Sequence, residues 1–200
     1  MISVYNIKPK FQQVLKPVME FLYRNKFTPN HITLLALIGS IATGVFVYLD
    51  KGWFYLMLVP IYLLIRMALN AIDGMMARAY NQQSSLGEVL NELGDVLADI
   101  AIFYPLLLKL GLDKHPHLLM VFIVLMITNE FVGVLGKAMG GARRYEGPMG
   151  KSDRALFFGL LCLVVLLFPI VTSWTIYAIG VVIIAMLIST LVRIKKSLNA

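Results

Sequence analysis

Charged residues and cysteine are both scarce in this chain of 200 residues. Only 14% of the residues are charged, whereas 59% are hydrophobic and the mean hydropathy is +0.79. Because soluble domains carry about 25% charged residues, the composition excludes an ordinary water-soluble protein and indicates a lipid environment. The single cysteine, Cys162, lies in an apolar run, which excludes internal disulfides and cysteine-based metal sites and indicates a packing role.

Acidic charge is also scarce, and no cleavable signal peptide is evident. The first 26 residues are polar and basic and lack a short apolar stretch followed by small residues, so the first apolar run is expected to stay in the membrane. Acidic residues number 11 against 18 lysines and arginines, which gives a net charge of +7. In a membrane protein this excess indicates topology and attraction to anionic lipid head groups, and it does not require nucleic-acid binding.

Long apolar runs are the dominant feature of the sequence. Six runs reach about 20 residues, the length that crosses a bilayer as a helix, and they predict an all-α membrane protein with one domain over residues 1–200. Before them, residues 11–27 place apolar side chains on one helical face, which predicts an amphipathic helix in the membrane interface. The predicted spans form a bundle over residues 30–192 and are 30–49, 53–76, 86–112, 117–139, 155–172 and 173–192.

Basic residues are distributed unequally between the loops that join these runs. Only Lys51, Lys109 and Lys114 lie on one side of the predicted membrane. The positive-inside rule therefore places both termini, the junction of spans two and three and the junction of spans four and five in the cytoplasm. The basic residues on that side are Lys8, Lys10, Lys16, Arg24, Lys26, Arg78, Lys137, Arg143, Arg144, Lys151, Arg154, Arg193, Lys195 and Lys196.

A polar motif crosses the junction of spans two and three. It reads Asn70-Ala-Ile-Asp73-Gly74-Met-Met-Ala77-Arg78 and, after eight residues, Gly87-Glu-Val-Leu-Asn91-Glu-Leu-Gly-Asp95. Spacings of three and four residues place Asn70 with Asp73 on one helical face, and Asn91 with Asp95 on another. Counting about 1.5 Å per residue puts both faces at the same depth, near the cytoplasmic edge of the membrane. Oxygen ligands that converge there suit Mg²⁺ or Mn²⁺.

This motif resembles the signature of the CDP-alcohol phosphotransferase family, D-x2-D-G-x2-A-R-x8-G-x3-D-x3-D. Asn70 and Asn91 replace two of its four aspartates, and the other six positions match. The chain is similar over nearly its whole length to a small bacterial branch of the family that shares the strings N-A-x-D-G-M-x-A-R and G-K-S-D-R-A-L. This likeness predicts a bacterial inner membrane protein.

The resemblance implies transfer of a phosphatidyl group from CDP-diacylglycerol to a small alcohol, with or without a phosphate, and release of CMP. It implies a homodimer, metal ligation by Asn70, Asp73, Asn91 and Asp95, and Asp95 as the catalytic base. Because asparagine adds no formal charge, one or two Mg²⁺ or Mn²⁺ ions remain open, and weaker or single-ion binding is expected. The donor-binding residues that it implies are Asn30, Thr33, Gly74, Ala77, Arg78, Ser84 and Gly87.

Carboxylates near the motif could compensate for the two asparagines. The candidates are Glu88, Glu92 and Asp99. The basic junction of spans four and five resembles, by its position, the acceptor site of relatives that use phosphorylated alcohols. Cytoplasmic junctions are basic in any case, so both interpretations stay open, although Gly147-Pro148 and Gly150 favour a shaped turn. The candidate acceptor residues are Arg143, Arg144, Lys151 and Arg154.

Three charged residues lie deep within the predicted spans. Arg66, Asp99 and Glu130 are each about 20 Å from the outer end of their span. Because charges in lipid are costly, they usually face one another or a wet cavity. We therefore predict that Arg66 pairs with Asp99 and Glu130 beneath the motif and holds spans two to four in register, with a direct role in substrate binding as the alternative.

Two other functions remain compatible with the sequence. One is transfer from a soluble CDP-alcohol to a lipid acceptor. The other is a catalytically silent relative that binds nucleotide-lipids or regulates a partner enzyme, which the two asparagines keep open. A transporter is disfavoured because neither repeat symmetry nor paired discontinuous helices is evident.

Overall fold

The computed structural model describes the backbone of residues 8–199 and the side chains of residues 11–199, and this part of the chain is helical without a β-strand. The side chains of Lys8 and Lys10, which contribute to the orientation prediction, and the ends of the predicted domain at 1–7 and 200 lie outside it. The α-helices are α1 Lys8–Arg24, α2 Pro29–Leu49, α3 Tyr55–Ala79, α4 Ser85–Lys109, α5 Pro116–Ala138, α6 Lys151–Leu167 and α7 Thr175–Leu198; short 3-10 helices lie at Leu112–Lys114 and Pro169–Trp174.

Four helical segments are long and apolar enough to cross a membrane, which makes the chain a multi-pass membrane protein. The segments are Pro29–Leu49, Tyr55–Ala79, Pro116–Ala138 and Pro169–Leu198, the last of which joins a 3-10 helix to α7. The other two predicted spans are also helices, but they differ in charge and length. Helix α4 carries four carboxylates, and α6 has only 17 residues.

The ends of the predicted spans differ from the observed helices for local reasons. Helix α6 ends at Leu167 and not at residue 172, because Pro169 disfavours helical backbone at Phe168, whose φ and ψ are −133° and 79°. Helix α4 ends at Lys109 and not at residue 112, and Gly111 follows in the left-handed region at φ +100°. Helix α7 continues to Leu198, six residues past the predicted end at 192.

Helix α1 begins three residues before the start of the predicted 11–27 segment and also ends three residues before the end of that segment. It ends at Arg24 because Lys26 adopts a left-handed φ of 63°. One side of α1 packs against α3: Met19 is buried, and the rings of Tyr23 and Tyr80 stack with centroids 3.5 Å apart. On the other side Val14 and Phe21 stay exposed. The helix thus has apolar side chains on two sides, one packed against α3 and the other exposed.

The core lies between α3, α4, α5, α6 and α7. Phe103, Phe122 and Phe158, one each from α4, α5 and α6, are fully buried and have ring centroids 5.1–6.3 Å apart. Helix α2 packs closely on α4, because a Cβ at Gly44 would collide with the carbonyl oxygen of Ala101. These contacts bring the N-terminal ends of α2, α4 and α6 and the C-terminal end of α3 together around the motif.

Candidate active site

Two helix N-termini meet at the motif. Helix α2 begins after Thr28, whose hydroxyl accepts a hydrogen bond from the backbone N–H of His31 at 3.3 Å. Helix α4 begins after Ser84, whose hydroxyl accepts from the N–H of Gly87 at 3.0 Å. These N-caps fix where each helix starts. A Cβ at Gly87 would lie 2.8 Å from the Asn30 side-chain oxygen, so glycine permits the close approach of the two helix ends.

The four motif side chains predicted to converge lie together between α3 and α4. The amide of Asn70 donates to Asp95 Oδ1 at 3.1 Å. On the other side of the cluster, the amide of Asn91 donates to Asp73 Oδ2 at 3.3 Å. Thr33 of α2, a predicted donor-binding residue, donates to the same Asp73 oxygen at 2.8 Å. Each aspartate of the motif is therefore held by an asparagine of the facing helix.

One oxygen in this cluster lacks a partner. Asp73 is 3% exposed, and its Oδ1 is buried with no hydrogen bond from the described residues. An unpaired buried carboxylate oxygen is costly, and a bound cation would satisfy it. Within the described residues no three Asp, Glu, His or Cys side chains form a metal cluster. The donor set is instead two carboxylates and two amides, whose oxygens suit one hard divalent cation.

A cation from outside the motif contacts Asp95. The ammonium of Lys151, the first residue of α6, forms an ion pair with Asp95 Oδ1. Arg66 of α3 donates to the Asp95 backbone oxygen at 3.0 Å and lies 4.0 Å from its carboxylate. The proposed catalytic base is thus held by two cations. Lys151 therefore lies beside the motif itself. The sequence had predicted that it lines an acceptor pocket.

A buried charge network lies directly beneath the cluster. Arg66 Nη1 is 2.5 Å from Asp99 Oδ1, so this predicted contact is present. Arg154 of α6 bridges Asp99 at 2.7 Å and Glu130 at 3.1 Å. Arg193 of α7 lies 4.0 Å from the same Glu130 carboxylate. The predicted direct pair between Arg66 and Glu130 is wrong, because the guanidinium of Arg154 separates α3 from α5 at this depth.

Arg154 is therefore not accessible to an acceptor. Its side chain is fully buried, and it is committed to two carboxylates and to the Met149 carbonyl oxygen at 3.1 Å. The prediction of an acceptor-binding role for Arg154 is corrected accordingly: it joins α4, α5 and α6. Placement from the sequence alone put it in an open cytoplasmic loop, whereas α6 begins at Lys151 and turns Arg154 inward.

The other two basic candidates lie in the loop between α5 and α6. Arg143 pairs with Glu92 at 2.5 Å and with Glu130 at 3.2 Å. Burial lowers the pKa of Arg143, but the neighbouring carboxylates, Glu92 foremost, outweigh burial and raise it above the usual value. Arg143 therefore remains charged. Arg144 lies 3.9 Å from Glu146 and lines a cavity of about 470 Å³ beside the end of α7.

The comparisons with known proteins agree with this geometry. A family model described as CDP-alcohol phosphatidyltransferase matches residues 26–191, which is most of the chain.

The chain belongs to the CDP-alcohol phosphatidyltransferase family.

It is therefore a membrane transferase of phospholipid biosynthesis, as the sequence predicted. The inner membrane protein YnbA of Escherichia coli is 47% identical over 173 residues, which covers 86% of this chain and 85% of that protein. The phosphatidylinositol phosphate synthase of Streptomyces avermitilis is 38% identical over 93 residues, which covers 46% of this chain and 37% of the synthase.

Solved structures share the fold. The phosphatidylinositol phosphate synthase of Mycobacterium tuberculosis with CDP-DAG bound superposes with a TM-score of 0.73, over 92% of this chain and 94% of that chain, at 20% sequence identity. Another structure of the same protein is a complex with manganese and citrate, with a TM-score of 0.74 at 19% identity. At these identities the likeness shows the fold alone.

In this family member the carboxylates that could compensate for the asparagines are engaged elsewhere. Glu88 pairs with Lys137 near the surface, Glu92 pairs with Arg143, and Asp99 is held by two arginines. Among the described residues none of the three forms a hydrogen bond or an ion pair with the four motif side chains. The site therefore has two formal negative charges from Asp73 and Asp95.

Three of the predicted donor-binding residues, Gly74, Ala77 and Arg78, lie at the end of α3. Arg78 is exposed, and within residues 11–199 it takes part in no ion pair. A Cβ at Gly74 would lie 3.3 Å from the Arg78 guanidinium, so the missing side chain leaves room for that group to fold back toward the motif. Ala77 lies on the next turn of the same helix. An exposed guanidinium beside a glycine can bind phosphate oxygens.

Sequence reasoning missed two residues of the buried network. Arg193 was placed beyond the last span, but its guanidinium is buried and donates to the Asn129 backbone oxygen at 2.6 Å. The Asn129 amide donates to Thr190 Oγ1 at 3.2 Å and so ties α5 to α7. The available signal was a polar Asn129–Glu130 pair within an apolar run, since intramembrane polar groups need partners.

Proposed function

We propose that the chain transfers a phosphatidyl group from CDP-diacylglycerol to the hydroxyl of a small alcohol. The new bond joins the alcohol oxygen to the lipid-linked phosphorus, the bond from that phosphorus to the CMP oxygen breaks, and the hydroxyl proton moves to a carboxylate. The observation that carries this proposal is the convergence of Asn70, Asp73, Asn91 and Asp95 between α3 and α4. The CDP-DAG complex of the structurally similar mycobacterial synthase supports the choice of donor.

Asp95 is the group best placed to take the proton. It is partly exposed, with 12% of its side chain accessible, whereas the Asp73 side is buried under Thr33. The Lys151 and Arg66 cations orient the Asp95 carboxylate. A carboxylate within reach of the attacking hydroxyl acts as a general base.

The cluster would also hold a divalent cation, Mg²⁺ or Mn²⁺. Asp73 and Asp95 would be its charged ligands, and the side-chain oxygens of Asn70 and Asn91 would complete the set; such an ion, when bound, neutralises charge on the pyrophosphate. The manganese complex of the mycobacterial synthase supports a metal in this fold. Arg78 and Gly74 would bind donor phosphate, and the remaining predicted donor-binding residues line the same helix ends: Asn30, Thr33, Ala77, Ser84 and Gly87.

The acceptor would enter from the side of the loop between α5 and α6. Lys151, Arg143 and Arg144 lie along this approach, and only Arg144 has no carboxylate within 3.5 Å among the described residues. The acceptor is proposed as a small alcohol, with or without a phosphate. The name of the Streptomyces relative supports an inositol phosphate as the first compound to test. The family resemblance supports a homodimer.

We also propose that α4 and α6 cross the membrane and that α1 lies in its cytoplasmic interface. At about 1.5 Å per residue, the 25 residues of α4 extend roughly 37 Å and the 17 of α6 roughly 25 Å. Their buried charges, Asp99 and Arg154, face the bundle, while Leu156 and Leu160 face outward. The name of the Escherichia coli relative supports an inner membrane. The unequal distribution of basic residues supports both termini in the cytoplasm.

The test of function is acceptor-dependent release of CMP by the purified chain. CDP-diacylglycerol, Mn²⁺ or Mg²⁺ and candidate alcohols would be supplied, with Asp95→Ala as the inactive variant and Glu88→Gln as a matched control, since Glu88 is exposed and pairs only with Lys137. CMP formed by the chain and by Glu88→Gln, but not by Asp95→Ala, is the expected result.

Two other results would replace the proposal. CMP released only from a soluble CDP-alcohol with a diacylglycerol acceptor would reverse the roles of lipid and alcohol. Binding of CDP-diacylglycerol without CMP release from any donor would make the chain a silent nucleotide-lipid-binding protein, the function that Asn70 and Asn91 keep open.

A further inference from the structure

Helices α4 and α6 face each other through two matched ion pairs. Lys151 and Arg154 are three residues apart on α6, and Asp95 and Asp99 are four residues apart on α4. Arg154 binds Asp99 at 2.7 Å in the buried network, and Lys151 binds Asp95 in the motif cluster. Because the Arg154–Asp99 pair is fully buried, it fixes the register of α6 on α4 and thereby directs Lys151 at Asp95.

The turn before α6 holds Lys151 in the same position. Gly147 and Met149 both have positive φ, at 97° and 58°. A Cβ at Gly147 would lie 2.6 Å from the Ser189 backbone of α7, so this turn fits only against that helix. Gly150 is buried and donates its N–H to Asp153 at 3.2 Å, which caps the first turn of α6.

The formal charges of the cluster limit how many divalent ions it can hold. Asp73 and Asp95 contribute −2 and Lys151 contributes +1, so the cluster carries −1 without metal. Arg66 is left out of this sum because the Asp99 carboxylate, 2.5 Å away, balances its charge. One divalent ion would bring the cluster to +1, and two would bring it to +3. Four aspartates would have balanced two ions at zero. At the edge of a low-dielectric membrane a concentrated charge of +3 is strongly unfavourable before the donor binds.

We infer that the Lys151 ammonium takes the place of a second divalent cation at Asp95, and that the chain binds a single divalent cation on the Asp73 side of the cluster. The inference rests on the proposed metal site. It gives the two halves of the cluster different roles: Asp73 Oδ1 is buried and lacks a partner, whereas Asp95 Oδ1 already accepts from both Asn70 and Lys151. Compared with a site of four aspartates and two divalent ions, this cluster has Asn70 and Asn91 in place of two aspartates and Lys151 in place of one ion.

The experiment counts Mn²⁺ bound to the full chain in detergent, by equilibrium dialysis with electron paramagnetic resonance of the free ion. The proteins are the wild type, Lys151→Gln, Lys151→Arg, the double variant Asn70→Asp/Asn91→Asp, and this double variant combined with Lys151→Gln. We expect one ion for the wild type and for Lys151→Arg, in which a second ion would bring the cluster to +3. We also expect one ion for the double variant, whose charge with two ions would be only +1, because Lys151 still occupies Asp95 Oδ1. We expect two ions only when both aspartates are restored and Lys151 is removed.

Lys151→Gln alone is expected to keep one ion and to bind it at least about tenfold more tightly, because a unit positive charge near the ion has been removed. Two ions on the wild type or on the double variant, or no Mn²⁺ binding at all, would overturn the inference. So would an unchanged count and affinity after Lys151→Gln in both backgrounds. The double variant retains Lys151, so its count decides the matter even if the glutamine variants fail to fold.

The count is made without CDP-diacylglycerol, which separates this inference from the proposed function. An active transferase that binds two ions would overturn the role of Lys151 and leave the function in place. A chain that binds one ion and releases no CMP would support the role of Lys151 and overturn the proposed function.

Discussion

The motif cluster and the charge network beneath it use the same residue types in opposite ways. In the network, Arg66, Asp99, Arg154 and Glu130 are almost completely buried, and each carboxylate is bound by at least two guanidinium groups. In the cluster, by contrast, amides replace half of the carboxylates, one oxygen of Asp73 has no partner, and Asp95 is partly accessible.

The network therefore stabilises the helix bundle, whereas the cluster carries the proposed reaction. A buried pair that loses one partner leaves an uncompensated charge, so the network can tolerate little change. Among the described residues the unpaired buried atoms of the network are the Nε atoms of Arg66 and Arg154, whereas the cluster has an unpaired carboxylate oxygen, a cost that the proposed cation would offset. The network supports the cluster, since Arg154 and Arg66 fix α6 and α3 against α4 directly below Asp95.

The largest expected effect is a loss of activity when the motif cluster is changed. Asp95→Asn removes the proposed base while it preserves the shape of the side chain. We expect CMP release to fall by about 10²- to 10⁴-fold, the usual contribution of a general base. The thermal midpoint in detergent should stay within a few degrees of the wild type. A large loss of thermal stability with this variant would show that the cluster is structural, like the network beneath it.

The next largest effect is expected in the network and should appear as stability. Arg154→Met leaves the Asp99 and Glu130 carboxylates buried without their shared partner, which costs about 3–5 kcal/mol. The thermal midpoint measured in detergent should fall accordingly. The matched control is Ser152→Ala in the same helical turn, whose side chain is exposed and which should leave the midpoint unchanged. A full loss of activity at unchanged stability would instead indicate that Arg154 binds substrate.

The depth of these residues could be predicted from the sequence, because helix rise per residue is nearly constant. Counting residues brought Asn70 to Asp95 and Arg66 to Asp99, and both contacts are present. The all-helical fold and its multi-pass character followed from the long apolar runs. These features depend on distances along a helix, which a sequence contains directly.

Lateral order could not be predicted in the same way. Arg154 lies between Asp99 and Glu130 because α6 packs beside α3 and α4, and no periodicity in the sequence gives that neighbour relation. The contact of Lys151 with Asp95 has the same origin. The end of α6 at Leu167 is a different case, since Pro169 was a readable local signal that the hydropathy of the run obscured.

A smaller effect is expected at the donor side of the cluster. Arg78→Gln removes the exposed guanidinium beside Gly74. If it binds donor phosphate, the loss of charge-assisted hydrogen bonds amounts to about 1.5–3 kcal/mol and raises the KM for CDP-diacylglycerol roughly ten- to hundredfold. Arg24→Gln, an exposed arginine at the end of α1, is the matched control for general attraction to the anionic lipid. Equal shifts in KM for both variants would assign Arg78 to the membrane surface and not to the donor.

The smallest effect should mark the edge of the functional cluster on α4. Glu88 and Glu92 are one helical turn apart, and each pairs with a cation, but half of the Glu88 side chain is exposed. Exposed pairs contribute about 0–1 kcal/mol, so Glu88→Gln should change neither activity nor thermal midpoint measurably. Glu92→Gln should have the greater effect on the midpoint, because Arg143 loses its 2.5 Å partner in a partly buried site. Equal losses of activity and of thermal stability in both variants would show that the cluster extends to Glu88 at the surface. No loss in either variant would show that it ends before Glu92.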